Sequence, residues 1–318
     1  MDKLKKLIKI LLVFMCIFFT YKYFNDNQKI AKLIYNINYN KILILITLAI
    51  TMVFLYAYLM LSILRKLYDI NISTNKWLLI YFNSQFFNSI PLLGIFYRAN
   101  QLKKYNLNYD KFFGIYIMIN WFWLFLCLFF FGIESIFVFD TVSFFNGNIT
   151  IILLSLSLIF FSLPLIFAKA VKFLMKKDFF KKKLFFIRLE KLIDLFLSAL
   201  KNKNFLKNLL VIFLGIHIIE FFIITQLVTS INNSVTFDQS YLLFMGNTII
   251  DTFNVIPQNL IVSEIGMGIL TDKMNYDFEF GIIIKLYLRF IVFFSSVFLA
   301  ILYNIIYLLF NKKKFFNV

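Results

Sequence analysis

The chain has 318 residues, of which 61% are hydrophobic and 15% charged, and a formal charge of +17. Soluble domains run at about 45–50% apolar and about 25% charged, so this composition excludes a water-soluble globular protein and specifies a polytopic membrane protein. Basic loops that orient spans and meet anionic headgroups account for a charge that would otherwise suggest nucleic acid.

The N-terminus begins with Lys3, Lys5, Lys6 and Lys9 and continues into an apolar run over 7–24 without a small-residue cleavage site, which reads as a retained first span. Further crossings are expected over 42–63, 112–133, 149–168, 208–230 and 282–304. Each is close to the roughly 20 residues needed to cross a hydrocarbon core. Two other apolar stretches, 77–97 and 241–270, are spotted with Asn and Gln and share a pattern. One reads Asn88-Ser89-Ile90-Pro91 with Arg98 seven residues after the proline; the other reads Asn254-Val255-Ile256-Pro257 with Glu264 seven after. The chain holds only 3 prolines, and Pro91 and Pro257 are two of them.

Charge places these stretches. Arg65, Lys66 and Lys76 precede the first, and Arg98, Lys103, Lys104 and Lys111 follow it, so both its flanks are cytoplasmic. The loop from Glu134 to Thr150 has no Lys or Arg and is expected outside; the basic linker 169–207 is expected inside, as an amphipathic helix on the inner leaflet or a solvated connector. The second stretch is flanked by a loop without Lys or Arg (230–240) and by Asp272, Lys273, Asp277 and Glu279, so it enters and leaves on the outer side. Lys312, Lys313 and Lys314 return the chain to the cytoplasm, while Lys29, Lys32 and Lys41 in the first outer loop run against the rule. The expectation is an all-α integral membrane protein, a single polytopic domain over 1–318, with six transmembrane helices and two oppositely oriented re-entrant hairpins. Halves of about 1–140 and 141–318, related by an offset of about 166 residues, form an inverted-topology repeat. The alternative is eight full spans.

Ionisable residues inside spans are costly and mark function or internal pairing. His217 and Glu220 are three apart in span 208–230, and Lys285 and Arg289 are four apart in the last span, each pair on one helical face. One reading is a polar cavity in which Arg98, Lys285 and Arg289 meet an anionic group, with Glu220, Asp251 and Glu264 as counter-charges. The other is internal pairing, or for Lys285 and Arg289 snorkelling to the interface. His217 is a possible proton relay or a structural partner of Glu220. Asn88, Pro91, Asn254 and Pro257 belong to the same candidate substrate-binding set, because half-helix N-termini at a proline break favour a phosphate. Cys16 and Cys127 lie in apolar runs and His217 is the single histidine, so neither a cofactor nor a metal site is expected. No phosphate-cradling Gly-x-x-x-x-Gly-Lys-Ser/Thr loop is present, which argues against direct ATP coupling.

The stretch Pro91-Leu92-Leu93-Gly94-Ile95-Phe96-Tyr97-Arg98 resembles the Pro-x-x-Gly-x-x-x-Arg element of the lysylphosphatidylglycerol synthase/flippase transmembrane-region family. Pro257, Leu260, Val262 and Glu264 match that family's Pro-Gly-Gly-Leu-Gly-Val-x-Glu element, with Gln258, Asn259 and Ile261 replacing its glycines. The resemblance implies a bacterial inner-membrane protein that handles lipids or lipid-linked glycans; the charge pattern leaves both termini cytoplasmic. Some members carry an aminoacyl-transferase domain after the membrane region; a chain ending at Val318 leaves no room for one, so the membrane part and its lipid translocation are what is expected. The leading expectation is a non-enzymatic, flippase-like transporter of an anionic phospholipid or a polyprenyl-phosphate-linked lipid. The alternatives are a non-transporting partner of envelope-polysaccharide or glycolipid enzymes, and a polyprenyl-dependent glycosyltransferase. The last would need acids near the first span, where Asp26 stands alone, with Glu134 and Asp140 in a later outer loop.

Overall fold

The computed structural model describes residues 39–87, 93–138, 149–174, 184–252 and 262–315. These form helices α1 (Tyr39–Tyr68), α2 (Thr74–Phe87), α3 (Leu93–Lys103), α4 (Tyr109–Val138), α5 (Ile149–Leu174), α6 (Leu184–Lys201), α7 (Lys203–Ile231), α8 (Phe237–Thr252), α9 (Val262–Lys273) and α10 (Phe278–Phe315), and no strand occurs among the described residues. Among the described residues, five segments are long and apolar enough to cross a membrane: Lys41–Tyr68, Lys111–Ile136, Thr150–Val171, Lys203–Ile231 and Phe278–Leu309. They correspond to five of the expected crossings. The expected span 7–24 lies outside the described residues.

The repeated stretches become pairs of short helices. α2 has 14 residues, α3 has 11, α8 has 16 and α9 has 12. None reaches the length of a span. α2 packs on α3, and α8 packs on α9. The segments leading into and out of each pair touch. The Tyr68 hydroxyl, at the end of α1, donates to the Lys111 carbonyl at the start of α4 at 3.2 Å. The Tyr276 hydroxyl, after α9, donates to Gln239 Oε1 in the first turn of α8 at 2.5 Å. Gln239 also caps that helix reciprocally: its Oε1 accepts from the Thr236 N–H at 2.9 Å, and its own N–H donates to Thr236 Oγ1 at 3.3 Å.

The exit turns of both pairs are built alike. Asn106 and Asn275 have φ of 61° and 63°, the left-handed region that asparagine tolerates. Around Asn106, the Leu107 N–H bonds the Leu102 carbonyl and the Asn106 N–H bonds that of Lys103. Around Asn275, Tyr276 bonds Thr271 and Asn275 bonds Asp272 in the same positions. Both are Schellman caps. Packing also exchanges between halves: α1 meets α7, α2 packs on α10 as α8 packs on α4, and α1 meets α10 as α7 meets α4.

The structure refines the expected offset and corrects the expected outer-loop position of Glu134. The expected offset of about 166 is bracketed: the starts of α2 and α8 (Thr74, Phe237) are 163 apart and the exit asparagines (Asn106, Asn275) 169 apart, because the second pair is longer. Arg98 therefore lies eight residues before its exit asparagine and Glu264 eleven, about one helical turn out of register. Glu134 is not in an outer loop; α4 runs on to Val138 and carries it in helix. Within the basic linker 169–207, α5 continues to Leu174, and α6 buries Ile193 against Ala168 and Val171, and Phe196 against Trp121 and Phe122.

The third proline, Pro164, sits inside α5. It has no N–H to give the carbonyl four residues back. That carbonyl, of Phe160, instead accepts from the Trp121 indole of α4 at 2.8 Å. Where α9 and α10 cross, Gly281 allows backbone contact: a Cβ there would sit 2.2 Å from the Met267 carbonyl oxygen.

Candidate functional site

Polar groups converge where the two short-helix pairs meet α1, α7 and α10. In the second half the charges pair. Lys285, one of the most buried cations at 4% exposure, directs Nζ to Asp251 Oδ1 and Oδ2 at 2.7 and 2.6 Å and to Asn247 Oδ1 at 2.6 Å. One turn on, Arg289 Nη1 lies 2.9 Å from Glu264 Oε1, and its Nη2 donates to Ser263 Oγ at 2.7 Å. Asp251 ends α8 and Ser263 and Glu264 begin α9, so adjacent turns of α10 hold both sides of the second pair. Glu264 also sits in the first turn of its helix, where the dipole favours a carboxylate. Lys285 does not snorkel; its ammonium is enclosed and its partner Asp251 is the open member, with 45% of its side chain exposed.

His217 and Glu220, expected on one face, point to different neighbours. Glu220 Oε1 accepts from the Tyr56 hydroxyl of α1 at 2.9 Å and lies within electrostatic reach of Asp251 and Lys285. His217 Nε2 lies 3.4 Å from Glu134 Oε2, an oxygen that also accepts from the Tyr241 hydroxyl.

Arg98 is different. It is 4% exposed, in the second turn of α3. Its guanidinium carbon lies 5.0 Å from the Tyr81 ring centre and 5.3 Å from that of Tyr116, with Nη1 4.0 Å from Met60 Sδ. Its Nε and the Tyr116 hydroxyl have no hydrogen-bond partner among the described residues. No salt bridge to Arg98 occurs among the described residues. Of the three cations expected to face an anion, Lys285 and Arg289 thus hold protein carboxylates, and Arg98 holds none among the described residues.

Asn88, Pro91, Asn254 and Pro257 lie outside the described residues, which flank them on both sides. Sequence spacing did not reveal Tyr56, Tyr81, Tyr116, Asn247 or Ser263. In a chain with 17 Tyr and 45 Phe, an aromatic beside a cation carries no local signal. Groups of three or more His, Cys, Asp or Glu fit to hold a metal are absent among the described residues.

An array of apolar spans around broken short helices, with a polar centre, defines a multi-pass membrane protein. The sequence matches the lysylphosphatidylglycerol synthase TM region over residues 6–300, and the chain belongs to that family. Neither a curated protein nor a solved structure matches it.

Proposed function

We propose that this protein moves a phosphate-bearing lipid across the bacterial plasma membrane, and that Arg98 engages the phosphate. The observation that carries the reading is the Arg98 environment. A buried cation loses several kcal/mol of hydration unless a counter-charge compensates, and aromatic faces return only about 2 kcal/mol. An anion from outside the chain completes the site: the unpartnered Nε and the Tyr116 hydroxyl are donors for phosphate oxygens.

The architecture supports the same reading. α2–α3 and α8–α9 act as re-entrant hairpins of opposite orientation. Tyr68, just before the first hairpin, meets Lys111 at one end of α4, and Tyr241 of the second meets Glu134 near the other. Those α4 positions are separated by about 35 Å at 1.5 Å per residue, the thickness of a hydrocarbon core. The basic flanks of the first hairpin and of α6 support a cytoplasmic position for that end. An inverted repeat with broken helices at its interface is the arrangement through which alternating access is achieved.

The test is lipid movement in proteoliposomes, with a fluorescent anionic phospholipid and a polyprenyl phosphate, comparing wild type with Arg98→Ala and Arg98→Lys. Losing a charged hydrogen-bond set of about 1.5–3 kcal/mol slows movement by at least about tenfold in Arg98→Ala. Equal rates in the wild type and Arg98→Ala remove the site. No movement of either lipid by folded protein leaves a non-transporting role in envelope-lipid assembly.

A further inference from the structure

The four short helices are not held equally. α10 ties three of them with side-chain bonds. Asn304 Nδ2 donates to Asn83 Oδ1 of α2 at 2.6 Å, Lys285 binds Asp251 of α8, and Arg289 binds Glu264 and Ser263 of α9. The Phe82 ring of α2 also meets the Tyr303 ring of α10 edge-on, with centres 5.0 Å apart. The grip on α9 is the tightest. Besides the approach at Gly281, a Cβ on Gly268 would sit 2.6 Å from the Phe278 ring, and Thr271 Oγ1 donates to the Asp277 carbonyl at 3.3 Å. In a bilayer, close contacts at small residues and interhelical hydrogen bonds hold helices together, because lipid tails are as apolar as the side chains.

α3 is held differently. Among the described residues, its side chains make no ion pair and no nitrogen–oxygen hydrogen bond to a helix outside its own pair. Its outward contacts are Arg98 with Met60 Sδ of α1 and the Tyr116 ring of α4, the Phe96 ring with that of Phe113 at 6.2 Å, Lys103 with the Tyr109 ring, and the burial of Ala99 and Leu102. Contacts with apolar side chains and ring faces are weakly directional, so a helix seated on them shifts without breaking a directed bond. α3 and α9 end in the same kind of turn, so the difference lies in what grips them. We infer that α3 is the moving part of this protein, sliding against α1 and α4 while α2, α8 and α9 stay seated on α10. The inference rests on the reading that Arg98 engages a phosphate. Phosphate oxygens offer the guanidinium directed acceptors in place of ring faces and a thioether, so the fork re-aims and α3 follows. A ligand that binds one position of α3 better than another shifts the helix by that difference. The halves thus divide the work: the second, its cations paired internally, is the frame, and the first carries the ligand.

Distances between pairs of spin labels test this, in protein with Cys16 and Cys127 replaced. The exposed position Lys103→Cys reports α3 against Phe290→Cys on α10, and the exposed position Asp272→Cys reports α9 against Leu308→Cys on α10. Each pair is measured in maltoside micelles with phosphatidylglycerol, with a polyprenyl phosphate, and with diacylglycerol as the phosphate-free match. At least one phosphate lipid is expected to move the α3 distance by about 2 Å or more, the scale of a helix shift at an interface. The α9 distance stays fixed, diacylglycerol moves neither, and Arg98→Met abolishes the α3 shift. An α9 shift as large as that of α3, or no α3 shift with either phosphate lipid, overturns the inference. An α3 shift that persists with diacylglycerol or in Arg98→Met overturns its coupling to Arg98. None of these arms measures transport. Lipid movement that needs Arg98, beside an α3 that stays still, leaves the transport reading standing and sinks this inference alone.

Discussion

Lys285 Nζ lies 2.6 Å from Asp251 Oδ2, and only the lysine is enclosed. The pair is therefore unequal. Removing Asp251 strands a buried ammonium with Asn247 as its remaining partner among the described residues, whereas removing Lys285 frees a carboxylate that is already half-exposed. Asp251→Ala is expected to destabilise the protein by about 3 kcal/mol, and Lys285→Met by clearly less. The double substitution should recover most of the loss. Thermal unfolding in one detergent checks this, and a larger loss for Lys285→Met reverses the assignment.

Arg98 and a structural arginine make opposite forecasts. If Arg98 awaits an external anion, replacing it with the apolar Arg98→Met relieves an uncompensated buried charge and raises Tm, while lipid movement falls. An arginine that holds the helices together would instead lower Tm. Measuring both quantities on one preparation separates the two roles.

Opposite hairpins have a labelling signature. With Cys16 and Cys127 replaced, single cysteines at the exposed positions Lys104→Cys and Asp272→Cys should react with a membrane-impermeant maleimide from opposite faces of oriented vesicles. Labelling of both from one face would defeat the inverted arrangement and support eight spans.

Trp121 and Pro164 are coupled through the Phe160 carbonyl. Trp121→Phe removes the indole N–H from that acceptor and costs about 0.5–1.5 kcal/mol. Pro164→Ala restores an N–H inside α5 and should make Trp121→Phe nearly neutral. An unchanged penalty in the Pro164→Ala background would show that the indole acts by packing alone.

Gly281 sets how closely α10 approaches α9. Gly281→Ala places a methyl against the Met267 carbonyl. The expected cost is about 1–3 kcal/mol of overpacking, seen as a lower Tm; an unchanged Tm would mean that the crossing opens freely.

Much of this was legible in the sequence. Apolar run length fixed the spans of α1, α4, α5, α7 and α10, because the hydrocarbon core sets one length for every crossing. The recurrent Asn-x-x-Pro stretches marked where helices are too short to span. Spacing of four put Lys285 and Arg289 on one face, as α10 bears out. What spacing could not supply was direction across helices. His217 and Glu220 share a face by number, yet one turns to Glu134 and the other to Tyr56, because helix rotation against α4 and α1 is set by packing. The pairing of Lys285 with Asp251 and Arg289 with Glu264, and the aromatic enclosure of Arg98, join residues far apart in the chain. Helix packing decides which buried charges find a protein partner, and that is a property of the tertiary structure.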